Sequence, residues 1–300
     1  MTHNHPDFLA CSELAFQQAL PGTAPTAAAW VIFEYSGAWS REALSPETFG
    51  SDPMGPELLQ AAALLESLGA KVLLARESGA THAPLTRNSR AWVAGAPDFA
   101  TGISTIGDVL DALGEAAGGT LTEILKHCAA SQSHDPHLFV CCHGKRDQCC
   151  AVKGRALVGQ LHVMHTRIWE CSHLGGHRFS PTALLLPHGA VFGRLTTESM
   201  NSILAGTSYG LEELRGLSAL RAVEQVMDVA AKELWCLPWF APLSFHQVGA
   251  SDDHDTFDVT GPDGRHARIT VRPSNESLPV SCGKPSAPTM VWKVVDVSED

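Results

Sequence analysis

Between His137 and Arg194 the chain reads HLFVCCHGKRDQCC, then a helix-forming segment, then RIWECSHLGGHRFSPTALLLPHGAVFGR. This stretch concentrates five of the nine cysteines and, beyond His137, six of the fifteen histidines. Thiolates and imidazoles are the ligands of zinc and of iron–sulfur centres, so metal chemistry is the first reading. Cys141, Cys149, Cys150 and the HxxxH pair His173 and His177 are the candidates. His143 and Cys171 join them because CxH occurs twice, at 141–143 and 171–173, a Rieske-like arrangement. A structural Cys2His2 zinc site uses the same residue types, and spacing alone leaves it open. A dithiol oxidoreductase would need CxxC at a helix start, and the chain has none. Cys142 faces away from Cys141 in an extended strand and is read as a packing residue. So are Cys11, Cys128, Cys236 and Cys282, while His162, His165 and His188 are read as ordinary polar or packing residues.

Local elements must bring these side chains together. Leu138 to Cys142 is an apolar run too short for a helix and reads as a buried strand delivering Cys141 at its carboxyl end. In the turn HGKRD, Asp147 is positioned to cap a helix from Gln148 to Leu161, placing Cys149 and Cys150 in its first turn. There the helix dipole favours the Cys150 thiolate. Arg146 and Asp147 stabilise the turn or tune the site by their charge. Arg167 to Ser172 reads as a second strand, followed at once by HLGGH. A strand, helix and strand in so short a span favour a right-handed crossover and a parallel pair. Cys141, the helix start and the His173/His177 loop then meet at the carboxyl edge, where α/β sheets bind ligands. The double glycine disfavours a regular helix and lets backbone N–H groups approach a ligand closely.

At these residues the sequence resembles the sucrase/ferredoxin-like family, whose cluster domain is a thioredoxin-like 2Fe-2S ferredoxin. The matching features are a CxHGxRDxxC box at Cys141 to Cys150, an HxGGHxF box at His173 to Phe179, and an FGR strand at Phe192 to Arg194. The resemblance covers about His137 to Met200, and more faintly Trp30 to Trp39. It implies that Cys141, Cys150, His173 and His177 hold the cluster, with the cysteines on one iron and the histidines on the other. Cys149 aligns with no ligand of the family and is therefore read as a bystander. The expected function is electron transfer rather than catalysis, with a separate reductase and acceptor, because no GxGxxG nucleotide fingerprint is present. The family's other name implies sucrose hydrolysis, which needs a pair of opposed carboxylates; no Asp/Glu constellation singles itself out.

Three hundred residues, 44% apolar and 18% charged, suit a globular α/β protein with a substantial core. A net charge of -11 argues against nucleic acid or an anionic membrane as partner. Odd, clustered cysteines and the absence of a basic N-terminal leader favour a reducing cytoplasm. Three regions are expected. Residues 1–135 form an α/β region, read as a degenerate thioredoxin-like copy, with strands at Trp30–Tyr35, Lys71–Arg76 and Arg90–Ala94. Its helices are read at Phe8–Leu20, Pro56–Leu68, Ile106–Leu113 and Leu121–Ala129. Residues 136–240 form the thioredoxin-like ferredoxin domain, completed by a hairpin at Ala183–Leu186 and Ala190–Leu195 and helices at Thr197–Leu204 and Ser218–Leu234. Residues 241–300 form a β-rich appendage with strands near Leu243–Val248, Thr256–Thr260, His266–Val271 and Met290–Val297. No convincing repeat is visible in the sequence.

Overall fold

The structure is a computed structural model that describes residues 10–95, 101–116, 118–128, 131–133, 135–161, 165, 167–208, 210–251, 253–278, 282 and 284–299. Phe8, Ala129 and His162 lie outside the described residues. After a short helix, α1 (Cys11–Leu14), the first half runs β1 (Ala29–Glu34), α2 (Pro46–Phe49), α3 (Gly55–Ser67), β2 (Ala70–Arg76), β3 (Arg90–Ala94), β4 (Thr101–Thr105), α4 (Ile106–Glu115), α5 (Leu121–Cys128) and β5 (Ser131–Ser133). The second half runs β6 (His137–Cys141), α6 (Arg155–Leu161), β7 (Ile168–Cys171), β8 (Ala183–Leu186), β9 (Ala190–Phe192), α7 (Thr197–Leu204), β10 (Leu214–Leu217) and α8 (Ala222–Trp235). Four strands close the chain: β11 (Ser244–Ala250), β12 (Asp255–Thr260), β13 (His266–Leu278) and β14 (Ala287–Glu299).

Both halves belong to one ten-stranded mixed sheet of order β10-β9-β8-β6-β7-β2-β1-β3-β4-β5. In the second half β6 and β7 are parallel, and β8 and β9 follow antiparallel, the strand order of a thioredoxin-like unit. The first half repeats it: β1 and β2 are parallel, while β3 and β4 follow antiparallel on the other side of β1. A repeat that the residues do not reveal is therefore plain in the topology. The halves join through an antiparallel β2–β7 pair that sets Ala75 opposite Cys171 and Arg76 opposite Glu170. The Arg76–Glu170 ion pair, at 2.9 Å, spans that seam. Behind it Trp92 of β3, fully buried, packs edge-on against Trp169 of β7 and Phe139 of β6, with ring centroids 4.6 and 5.2 Å apart. One sheet face thus carries a core shared by both halves, because alternate residues of β1, β3, β6 and β7 point into it.

The C-terminal strands form a separate antiparallel sheet of order β11-β12-β13-β14. Its apolar face, Phe257, Val259, Ala267, Ile269 and Val271, packs on Val223, Met227, Ala231 and Trp235 of α8. Strand β13 runs seven residues past the expected end because it pairs with β14 along their whole lengths. Among the described residues no helix is long and apolar enough to cross a membrane.

Candidate metal centre

Cys141 lies at the carboxyl end of β6, level with Cys171 on the parallel β7. Asp147 caps the following helix: its Oδ1 accepts the Cys149 N–H at 2.9 Å, and its carbonyl accepts the Ala151 N–H at 3.4 Å. The helix then departs from ideal winding, with a π segment over Cys150–Gly154 before α6 begins. Gly154 lies against Cys141, and a Cβ there would collide with the Cys141 carbonyl oxygen. This close approach sets Cys150 beside Cys141. Single-turn π segments recur at functional sites, where an extra residue re-aims one side chain.

The HLGGH loop follows β7. Gly175 and Gly176 take φ of 85° and 70°, left-handed values that a side chain would strain, and the chain then makes one 3-10 turn over His177–Phe179. Arg215 of β10 pins the loop from behind. Its Nη1 donates to the Gly175 carbonyl at 3.0 Å and its Nε to Thr23 Oγ1 at 3.1 Å, and Nη2 donates to the Thr23 carbonyl. Burial lowers the Arg215 pKa to about 9, which leaves it a cation at neutral pH facing the thiols of Cys141 and Cys150. Arg178, Arg194 and Arg215 all lie over the buried ring of Phe179, with guanidinium carbons 4.5, 5.4 and 5.4 Å from its centroid.

Ligand atoms of Cys141, Cys150 and His173 lie within 4.8 Å of one another. Both cysteines are buried. Hydrogen bonding from Cys150 is the largest cause that holds the Cys141 thiol well below its ordinary pKa, and the same bond raises the Cys150 thiol. His177 lies outside that three-residue group. Its ring is 5.3 Å from that of His173, and its Nε2 is 3.5 Å from Asp147 Oδ2. Nδ1 of His173 is buried without a hydrogen-bond partner, a state it shares with Nδ1 of His137 and of His143. Two buried thiols and a half-buried imidazole, with ligand atoms this close, fit a metal centre.

The remaining candidates have other surroundings. Nε2 of His143 bonds the Ser40 carbonyl at 2.6 Å, and its ring packs against Trp39. Cys171 is buried in the shared core and lies outside the converging group. Cys142 packs on the opposite face, in the core formed with Leu157 and Leu161, and Cys128 packs in the first half, both as expected. His165 bonds Asn201 at 2.8 Å and His188 packs on Trp239. Cys236 was expected to pack but is exposed, just beyond α8 at φ 52°. Cys11, Cys149 and Cys282 were also expected to be bystanders. Instead their sulfurs form a triangle with sides of 3.2 to 3.5 Å, with Asp147 in the same group. No local spacing announces this, since Cys11 and Cys282 are 271 positions apart.

A group of two buried thiols and a half-buried imidazole at the carboxyl edge of a thioredoxin-like half defines an α/β protein with a site able to hold a metal ion. The chain belongs to the sucrase/ferredoxin-like family, whose model matches residues 20–216. The match spans both halves of the large sheet and leaves out Cys11 and Cys282. No curated protein and no solved structure gives a match.

Proposed function

We propose that the protein is an electron carrier whose second half holds one 2Fe-2S cluster through Cys141, Cys150, His173 and His177. The observation that carries this reading is the convergence of Cys141, Cys150 and His173, with the His177 ring 5.3 Å from that of His173, in a chain of a family described as ferredoxin-like. The cluster supplies reversible one-electron transfer. The chain's own residues supply its setting. Cys141 and Cys150 bring negative charge, Arg215 offsets part of it from behind, and the glycines of HLGGH let the loop close over the site. Buried carboxylates among the described residues are Asp147, Glu170 and Asp228, each tied to a cap, to Arg76 or to Lys232, and they form no opposed pair for glycoside hydrolysis. Residues 136–240 act as the electron-transfer unit, and a separate reductase and acceptor exchange electrons with it. Nine unpaired cysteines suit a reducing cytoplasm.

One observation favours a second reading. Three ligand atoms within 4.8 Å also suit a single zinc ion. Anaerobic purification followed by iron, sulfide and zinc analysis and a visible spectrum separates the two. About two irons and two sulfides per chain, with visible absorption lost in C141S and C150S, are expected. A colourless chain whose zinc disappears in those same variants would replace the cluster by a structural zinc site.

A further inference from the structure

A second thiol group lies beside the first. The Cys11–Cys149, Cys149–Cys282 and Cys282–Cys11 sulfur pairs are 3.5, 3.2 and 3.3 Å apart, and Asp147 Oδ1 is 3.6 Å from the Cys282 sulfur. All four ligand atoms lie within 4.8 Å of one another. Cys11, Asp147 and Cys149 are buried and Cys282 is half-buried. The near-equal sides matter. A disulfide bonds two sulfurs at about 2.05 Å and would leave the third apart, whereas one ion at the centre contacts all three alike. Tetrahedral zinc takes thiolates at about 2.3 Å and carboxylate oxygen at about 2.0–2.2 Å. The triangle needs only to open slightly around it.

The surroundings also point to anionic sulfur rather than to packing thiols. The Cys11 N–H points at the Cys282 sulfur at 3.5 Å, and Ser12 Oγ donates to the Cys149 sulfur at 3.5 Å. Lys153 Nζ donates to that Ser12 Oγ at 2.7 Å, which brings a cation one bond behind the group. Donors aimed at ligand sulfur are the outer shell that thiolate metal sites require, and a packing cysteine has no use for them.

We propose that Cys11, Cys149, Cys282 and Asp147 form a second metal site that binds one zinc ion. Three thiolates and a carboxylate complete a closed tetrahedral set, so the site is structural rather than catalytic. It clasps α1 and the β13–β14 connection onto the helix start that also bears Cys150. Asp147 links the two sites, because its Oδ2 is 3.5 Å from His177 Nε2.

The test uses the full chain, purified anaerobically and supplied with zinc alone. Zinc, iron and sulfide are measured in native protein, C11S, C282S and the double variant C141S/C150S. The native chain is expected to hold one zinc with three sulfurs and one oxygen in its first shell by zinc X-ray absorption. C11S and C282S should bind zinc at least tenfold more weakly and keep their iron, while C141S/C150S should lose iron and keep this zinc. Zinc with three sulfurs and one oxygen in its first shell that persists in both C11S and C282S would overturn the proposal, as would a native chain without such a zinc or a disulfide between two of the three cysteines. If a variant fails to fold, the first-shell composition of native protein still decides. If the first site holds zinc instead of a cluster, native protein would carry two zincs, and C282S would remove only the three-sulfur one. The cluster reading would then fail while the second site stands.

Discussion

Cys149 and Cys150 are adjacent, yet their thiols serve different neighbours: Cys150 meets Cys141 and His173, and Cys149 meets Cys11 and Cys282. C150S should therefore abolish visible absorption and iron content, whereas C149S should keep both and lose zinc, as metal analysis of the two proteins would show. The reverse pattern would exchange their roles. Arg215 is a buried cation with hydrogen bonds to Thr23 and Gly175. Arg215→Met should destabilise the protein by about 3 kcal/mol, since buried carbonyls left unsatisfied cost ~1–3 kcal/mol each. It should also make the cluster harder to reduce, through loss of nearby positive charge. Denaturant melts and a redox titration read the two effects. His137 carries a separate pH signature. Burial, with Arg167 and Arg90 nearby, lowers its pKa from 6.5 to about 4. The unfolded chain then binds the proton more readily than the folded one. Stability from this residue is full above pH 6.5 and is lost as pH falls toward about 4. Melts of H137L across that window should show a shallower loss than native protein, and equal slopes would remove His137 as the cause.

The elements around the site were legible because each one carries its own local signal. The apolar run ending at Cys141, the Asp147 cap and the left-handed glycines after His173 give the strand, helix and loop that the structure shows. The π segment was not legible, because it arises from contact between Gly154 and the Cys141 backbone rather than from helix propensity. Gly154→Ala should push the helix from β6 and lower cluster occupancy several-fold, with visible absorbance per chain as the readout; unchanged absorbance would separate that contact from the site. Strand β10 escaped notice because LRGL is short and holds a glycine and the buried Arg215 between its two leucines. Strand β4, TGIST, is short, polar and glycine-containing, and it is a strand through pairing with β3 and β5. The Cys11, Cys149 and Cys282 triangle is purely tertiary, so sequence spacing could not reveal it.

The whole molecule is two thioredoxin-like halves sharing a sheet, with α8 carrying a small sheet beside them. Trp92 joins the halves through Phe139 and Trp169, so Trp92→Ala should cost about 3–5 kcal/mol in a denaturant melt. A loss below ~1 kcal/mol would mean that the seam relaxes without it. Only the second half brings ligands to the proposed cluster, since between Glu13 and His127 the chain has no cysteine. Imidazole ligation at one iron is neutral where cysteine is anionic, so the potential should exceed that of an all-cysteine centre. It should also fall by ~59 mV per pH unit between the oxidised-state and reduced-state pKa values of a ligating imidazole. A potential flat with pH and unchanged in both H173C and H177C would remove the histidines from the centre. Pulsed electron paramagnetic resonance of the reduced protein tests the central claim most directly, because nitrogen bound to iron couples to the unpaired electron. The account predicts couplings from two imidazole nitrogens in native protein, one of them lost in H173C and the other in H177C. A reduced cluster showing no strongly coupled nitrogen, or couplings that survive both substitutions, would contradict it.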